Sequence, residues 1–275
     1  MPAAALHFAI GPAKEQKTAE YVEIEPSKTL SGLRIVLPPG RPNPWGEALK
    51  GMCYLKKLPY TRVRKAQGHD AALQAWTSQS STPVAIWNDE RPRNTWLEQL
   101  YLVERLAPEP ALIPTTIADR TVMFGFSNEL CGEQGFGWSR RVMLLDATLT
   151  NPQSDDAART FASYMGGKYG YDRAAAETAP ARVAQILRVL EVRLAQQQAA
   201  GRQYFLGDQL SALDLYWATF AVLIQPLPPD LCPIPEPLRV SFTNTNLVVA
   251  AAVTSRLIAH REFIYREHLE LPMQL

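Results

Sequence analysis

Short apolar runs alternate with polar, helix-period stretches through the first hundred residues. Three of the runs, bounded by proline or glycine, are typical of strands. They are LRIVL (33–37), PYTRVRKA (59–66) and TPVAIW (82–87). The stretches between them, 46–58 and 68–76, are helical in character. The predicted order is strand, helix, strand, helix, strand, and the first two strands should be parallel because a helix crosses between them.

The helical stretches carry apolar positions that predict their inward faces. In 46–58 these are Leu49, Cys53 and Leu58 or residues near them. A further helix at 95–107 places Leu97, Leu100 and Tyr101 on one face and ends before Pro108.

Beyond Pro114 the pattern predicts helices and no further strand. The helical stretches are 116–149, either continuous or broken at GEQGFG (132–137), then 155–169, 181–201, a segment from Ser211, and one or two helices from 247 to 264. The stretch 181–201 repeats apolar residues every three or four positions, and Gly201 is suited to end it. That stripe consists of Val183, Ile186, Leu187, Leu190 and Leu194.

The stretch FLGDQLSALDLYWATF (205–220) contains a helix-start signal. Ser211 followed three residues later by Asp214 predicts a capping box, in which the Asp214 carboxylate accepts from the Ser211 backbone N–H. Leu210 and Leu215 are spaced as a hydrophobic staple. We interpret Ser211 and Asp214 as structural residues.

The change of pattern predicts two domains, α/β followed by all-α. We expect an N-terminal arm at 1–32, an α/β domain at 33–108 and an all-helical domain at 115–275, with the boundary in the proline-rich APEPALIP (107–114).

Composition and charge exclude several classes of function. The net charge of +1 gives no general attraction to nucleic acid or an anionic membrane. The longest apolar run, LYWATFAVLI (215–224), is about half of the roughly 20 residues that a membrane span needs. Three separated cysteines and four scattered histidines suggest neither a disulfide framework nor a metal site. The start, MPAAALHFAIGPAKEQK (1–17), lacks a basic leader region, so we expect a cytoplasmic protein.

The order of elements and four local stretches resemble the glutathione transferase superfamily. These stretches are LKKLPYTRV (55–63), STPVAIW (81–87), RNTWLEQLYL (93–102) and YFLGDQLSALDL (204–215). The resemblance covers about residues 33–225 and implies a thioredoxin-like domain followed by a helical bundle. It also implies that the bond before Pro83 is cis and that the protein is a homodimer.

The resemblance implies a glutathione site at residues of the first domain. The thiol-activating position falls on Asn43, where the family has Ser, Cys or Tyr. The Asn43 amide, the backbone N–H groups of Trp45 and Gly46, and the charge of Arg41 are the groups expected to stabilise the thiolate. The absence of a cysteine there argues against glutathione disulfide reductase chemistry.

The remaining glutathione contacts implied by the resemblance lie further along the same domain. Thr82, before Pro83, would pair with the cysteinyl part of glutathione, and Asn94 and Thr95 would hold the γ-glutamyl end. Asn94 stands where the family has an acidic residue or Gln, which weakens an ionic link to the ammonium of glutathione. Three of these residues also have plain structural readings: Asn43 as a loop residue that supports the turn at Pro44, Pro83 as a residue that serves the fold alone, and Thr95 as a helix cap.

An acceptor-substrate pocket is expected between the domains, near Glu133, Trp138 and Arg140. The glycines around these residues either break the helix to shape that pocket or form a simple connection. The predicted function is a glutathione S-transferase-like enzyme that activates the glutathione thiol for attack on a hydrophobic, electrophilic small molecule, as in detoxification. The alternative is a non-catalytic binding or scaffold protein with the same fold.

Overall fold

The computed structural model describes residues 20–275, so most of the predicted N-terminal arm lies outside the described residues. Within this range the strands are β1 (Leu33–Leu37), β2 (Tyr60–Arg64) and β3 (Val84–Trp87). The helices are α1 (Ile24–Ser27), α2 (Pro44–Leu55), α3 (Ala71–Thr77), α4 (Trp96–Leu106), α5 (Ile117–Cys131), α6 (Phe136–Thr150), α7 (Asp156–Tyr169), α8 (Arg173–Ala199), α9 (Ala212–Phe220), α10 (Glu236–Phe242), α11 (Leu247–Ala250) and α12 (Ser255–His268). A 3-10 turn, Ala221–Leu223, follows α9 directly.

The three strands form one sheet in the order β2-β1-β3. β1 runs parallel to β2, as predicted, and antiparallel to β3. Every residue of β1 is buried, because the strand is central and has helices on both faces. Val22 adds an isolated parallel bridge to Val63 at the outer edge of β2.

Helices α2 and α4 pack on one face of this sheet. Leu49 and Cys53 are buried as predicted. The predicted inward face of α4 is wrong in part, since Leu97 and Tyr101 are exposed while Leu100 is buried. The buried face of α4 is instead made by Gln99, Leu100, Leu102 and Val103.

The helical part breaks at both places where the sequence left a choice, since α11 ends at Ala250 and α12 begins at Ser255, and the stretch 116–149 is divided as well. α5 ends at Cys131 and α6 begins at Phe136, so the glycine-rich segment is a tight connection between two helices. A Cβ atom at Gly135 would lie 2.6 Å from the carbonyl oxygen of Glu129, which explains the need for glycine. α8 begins at Arg173, eight residues earlier than predicted, because the Asp172 carboxylate caps the helix there. Pro180 lies inside the helix and does not mark its start.

Helix α9 lies at the centre of the helical part, and all nine of its residues are buried. The predicted capping box is present: Asp214 Oδ2 accepts from the Ser211 N–H at 2.9 Å. Asp214 Oδ1 accepts from the Phe205 N–H at 2.9 Å and lies 3.1 Å from His260 Nε2. The predicted stripe on α8 is buried beside it. No helix in residues 20–275 is long and apolar enough to cross a bilayer.

A buried lysine ties the end of α2 to the connection between α4 and α5. The Lys56 side chain is fully buried, and its Nζ lies 2.7 Å from Glu104 Oε1. The same ammonium donates to the carbonyl oxygens of Ala107, Pro108 and Pro110 at 2.7, 3.2 and 2.7 Å. Lys56, at the end of α2, therefore anchors the segment that connects the sheet to the helical part.

The last described residues lie along α2. Lys50 Nζ donates to the carbonyl oxygen of Gln274 at 2.6 Å and to Glu47 Oε1 at 2.9 Å. Leu269 packs so closely on α2 that a Cβ atom at Gly51 would lie 2.6 Å from its Cδ2. The middle of α2 is therefore covered by the C-terminal segment.

Candidate functional site

Several polar groups meet at the edge of the sheet where α2 begins. Asn43 is the N-terminal flanking residue of α2, and Pro44 occupies its first position, so the backbone N–H groups of Trp45 and Gly46 lie in the turn that a helix leaves without internal acceptors. This end of α2 carries the positive pole of the helix dipole. Asn43 Nδ2 donates to the Thr82 carbonyl oxygen at 3.2 Å, whereas Asn43 Oδ1 is buried and has no hydrogen-bond partner in the structure.

The segment before β3 forms the other wall of this edge. The Thr82–Pro83 peptide bond is cis, which confirms the prediction. Gln99, buried on α4, donates to the carbonyl oxygens of Pro83 and Arg93 at 2.9 and 3.1 Å. Gln99 therefore fixes the segment containing Pro83 against the loop before α4. This role of Gln99 was not predicted, although a polar residue on the apolar face of a predicted helix is a usable signal.

The two residues expected at the γ-glutamyl end lie in that same loop. The Asn94 amide donates to Gln79 Oε1, so its donor is engaged within the protein. Thr95 caps α4: its Oγ1 accepts from the Glu98 N–H at 3.2 Å and donates to Glu98 Oε2 at 3.0 Å. Backbone pairing between Arg93 and Ala85 holds this loop beside β3, close to Thr82.

Trp45 joins the start of α2 to the break between α5 and α6. Its indole Nε1 donates to the Cys131 carbonyl oxygen at 3.0 Å, and its ring meets Phe220 edge-on at 4.8 Å. A Cβ atom at Gly137 would lie 3.0 Å from Trp45 and 2.5 Å from Phe220. The Trp45 side chain is therefore packed against other residues of the protein. Its backbone N–H lies in the first turn of α2.

Positive charges surround the same edge of the sheet. Arg41 is exposed, with its guanidinium 5.9 Å from the Phe161 ring of α7. Desolvation and then the charges of Lys168 and Arg41 lower the pKa of Lys65, although Asp70 acts in the opposite direction. Desolvation and then the charge of Arg141 lower the pKa of Lys168. The contact between Arg41 and Phe161 brings one of these cations from the loop before α2 to α7.

Residues 173–251 match the family model described as glutathione S-transferase, C-terminal domain. Rice GST1 (OsGSTU1) in complex with glutathione superimposes with a TM-score of 0.55 at 17% identity, over 88% of this chain and 93% of the other. Glutathione transferase Omega 3C from Trametes versicolor gives 0.52 at 15% identity, with 89% of each chain covered. A glutathione S-transferase from Methylobacterium radiotolerans in complex with glutathione sulfonate gives 0.53 at 16% identity, over 81% and 95% of the two chains.

The chain has the fold of the glutathione transferases, and residues 173–251 match the family's C-terminal domain. The resemblance and the fold class inferred from the sequence are thus confirmed. No protein of curated function matches the sequence. The TM-scores of 0.52–0.55 establish the shared fold, and identities of 15–17% leave the activity to be argued from the site itself.

The glutathione transferase fold brings together only some of the predicted site residues. Asn43, Thr82 and Pro83 form one contact group, with Asn94 and Thr95 in the adjoining loop. The residues expected around the acceptor substrate are separated. Glu133 is exposed in the connection between α5 and α6, and Trp138 packs edge-on against Tyr169 at 4.8 Å. Arg140 is buried, and its Nε donates to the Leu223 carbonyl oxygen at 2.8 Å.

The three buried cysteines of this chain are unsuited to redox or nucleophilic chemistry. Burial raises the pKa of Cys53 to about 12 and that of Cys232 to about 11, and it also raises the pKa of Cys131. A thiol with such a pKa carries almost no thiolate at neutral pH. Across residues 20–275, no cluster of three or more His, Cys, Asp or Glu is arranged to hold a metal ion.

Proposed function

We propose that this chain binds glutathione at the start of α2 and activates its thiol for attack on an electrophilic small molecule. The observation that carries the proposal is the buried Oδ1 of Asn43, a hydrogen-bond acceptor with no partner in the structure, beside the first turn of α2. Buried polar atoms are rarely left unpaired, so an N–H donor is expected to complete this one. A peptide ligand such as glutathione supplies N–H donors of this kind.

In this proposal the thiolate is stabilised by the backbone and not by the Asn43 side chain. Asn43 Nδ2 is directed to Thr82, so its free atom is an acceptor, and an acceptor does not stabilise an anion. The N–H groups of Trp45 and Gly46 and the helix dipole favour the negative sulfur. The Thr82 carbonyl oxygen has a second lone pair for a ligand N–H, and Thr95 Oγ1 and Asn94 lie where they can reach the γ-glutamyl end.

The reaction is then a nucleophilic substitution or addition at sulfur. The glutathione thiol releases its proton to solvent, the thiolate forms a C–S bond with the electrophilic carbon, and a leaving group, where there is one, departs with its bonding electrons. An unperturbed thiol has a pKa of about 8.5, and a helix N-terminus lowers such values to about 7.5 or below. The lowered pKa of the glutathione thiol and the proximity of the two bound reactants are the two sources of the rate enhancement.

Calorimetric titration with glutathione, followed by a pH titration of thiolate absorbance in the complex, tests this function. We expect saturable binding and a thiol pKa below that of free glutathione. Asn43→Ala should weaken binding, while Asn151→Ala, at the distant end of α6, serves as a matched control. Absence of binding at millimolar glutathione would overturn the proposal.

The runner-up is a non-catalytic binding or scaffold protein. It is favoured by the engagement of Asn43 and Asn94 donors with Thr82 and Gln79, which leaves fewer groups for a ligand. Such a protein would bind glutathione with an unshifted thiol pKa, or not at all, and would not conjugate electrophiles. The same pH titration therefore separates the two functions.

A homodimer in the cytoplasm is part of the proposal. Size-exclusion chromatography with light scattering measures the mass of the assembly, and a mass of about 30.7 kDa would reject the dimer.

A further inference from the structure

The buried face of α4 contains one polar side chain, Gln99, among leucine and valine residues. Gln99 is only 3% exposed, so its amide is removed from water. Its Nε2 donates to the Pro83 carbonyl oxygen at 2.9 Å and to the Arg93 carbonyl oxygen at 3.1 Å. A buried donor without an acceptor costs about 1–3 kcal/mol, so these two bonds are a strong constraint on the segments that supply the acceptors.

Each of these segments leads to a different end of the proposed glutathione site. Pro83 follows Thr82, whose carbonyl oxygen accepts from Asn43 Nδ2 at the start of α2. Arg93 precedes Asn94 in the loop that carries the residues placed at the γ-glutamyl end. One amide group of α4 is therefore bonded beside the cysteinyl end and beside the γ-glutamyl end at the same time.

The main chain around Gln99 strengthens the link between the two ends. The Gln99 N–H donates to the carbonyl oxygen of Thr95, the cap of α4, at 3.1 Å. The Arg93 carbonyl oxygen also accepts from the Ala85 N–H at 2.8 Å, so both of its lone pairs are used within the protein. The Ala85 pairing holds Arg93 against β3, and the Gln99 side chain extends this link to Pro83.

We infer that Gln99 is a positioning residue that sets the spacing between the two ends of the glutathione site. This inference rests on the proposed function. Gln99 does not contact the ligand; it acts through Thr82 at the cysteinyl part and through Asn94 and Thr95 at the γ-glutamyl end. The γ-glutamyl group adds affinity only where its own contacts lie within reach of a molecule already held at its cysteine. A misplacement of about 1 Å can cost about 100-fold.

The test compares glutathione with cysteinylglycine, which lacks the γ-glutamyl group. The dissociation constant of cysteinylglycine divided by that of glutathione, both from ligand-detected NMR, gives the affinity that the γ-glutamyl end adds. Gln99→Met keeps a side chain of similar length but removes both donors. We expect it to lower this ratio about 10- to 100-fold while the dissociation constant of cysteinylglycine stays nearly unchanged.

Gln197→Met on α8 is the matched control. Gln197 is also a buried glutamine bonded to the main chain, since its Oε1 accepts from the Gly207 N–H at 2.9 Å. Its replacement removes a comparable buried bond far from the proposed site. The control should lose stability and keep the wild-type ratio.

Gln99→Glu is a second variant that keeps the shape of the side chain if methionine prevents folding. A protonated carboxyl group still offers one O–H donor, whereas an ionised one only accepts and repels the two carbonyl oxygens. Relative to the wild type, the ratio in this variant should fall as the pH rises through the pKa of the new carboxyl group. A ratio that follows the wild type at every pH would contradict the inference.

The remaining outcomes separate this inference from the proposed function. An unchanged ratio in Gln99→Met rejects the inference alone, and if both affinities fall together Gln99 serves packing only. A wild-type ratio near one, or a lowered ratio in Gln197→Met as well, rejects it too, because the γ-glutamyl end or the position of Gln99 would then have no special effect. If the wild type does not bind glutathione, the proposed function fails and the inference fails with it.

Discussion

Replacing Lys56 by methionine removes the cation that holds the connection between the sheet and the helical part. The change keeps a side chain of similar length, but it leaves Glu104 and three carbonyl oxygens without their shared donor. Removing one partner of a buried ion pair costs about 3–5 kcal/mol. For a chain of this size, about 2–4 °C of Tm corresponds to each kcal/mol, so we expect Tm to fall by roughly 6–20 °C.

Differential scanning calorimetry of the purified variant measures this change, with Lys57→Met as the matched control. Lys57 is exposed, so its replacement should alter Tm by no more than a degree or two. Glu104→Gln should destabilise the wild type and have a much smaller effect in the Lys56→Met background, since the two residues act as one unit. A Lys56→Met protein that unfolds within the range of the control would refute the reasoning.

Three further predictions follow from close packing and burial. Gly137→Ala should lower the free energy of unfolding by about 1–3 kcal/mol in urea unfolding, because the new Cβ would lie 2.5 Å from a ring carbon of Phe220. The control Gly125→Ala, where nothing lies within 4 Å of the new Cβ, should be neutral or stabilising. Asp214→Asn should lower Tm by about 2–12 °C, because an amide offers one acceptor oxygen where the fully buried carboxylate serves two backbone N–H groups, and a normal Tm by circular dichroism would contradict that. The three cysteines should not react with a disulfide reagent in the native protein at pH 8 and should all react in denaturant, since burial raises their pKa, and rapid native labelling would show that a cysteine is accessible.

The fold could be predicted from the sequence wherever the local pattern of apolar and polar residues agrees with the burial found in the structure. LRIVL matches β1 residue for residue, and the capping box at Ser211 fixes the start of α9 within one residue. The start of α8 was missed because Pro180 normally ends a helix, while the Asp172 cap lies eight residues before that proline, outside the apolar stripe. α10 was not predicted, since a seven-residue helix within proline-rich sequence has too few positions for a period.

The positions of the site residues along the chain could be predicted from the sequence, but their contacts could not. Counting along the chain located Asn43 and Thr82, but the direction of the Asn43 amide depends on residues 39 positions apart. The buried position of Gln99 on α4 could not be predicted for the same reason. The spacing of Leu97 and Tyr101 predicted the wrong buried face for this helix, since both side chains are exposed. The contact between Arg41 and Phe161 of α7 likewise depends on tertiary structure, because the two residues are far apart in the sequence.

The cover over α2 has a consequence for how the chain is made. During synthesis α2 emerges long before its cover, because Lys50 is bonded to a residue 224 positions further along. Until that segment leaves the ribosome, the sheet and α2 can form, but Gly51 and the Glu47–Lys50 pair stay open to water and to chaperones. The helix that follows Asn43 therefore acquires its final surroundings only after residues 269–274 have been made, and nascent chains that stall before residue 269 should be those most readily captured by the quality-control machinery.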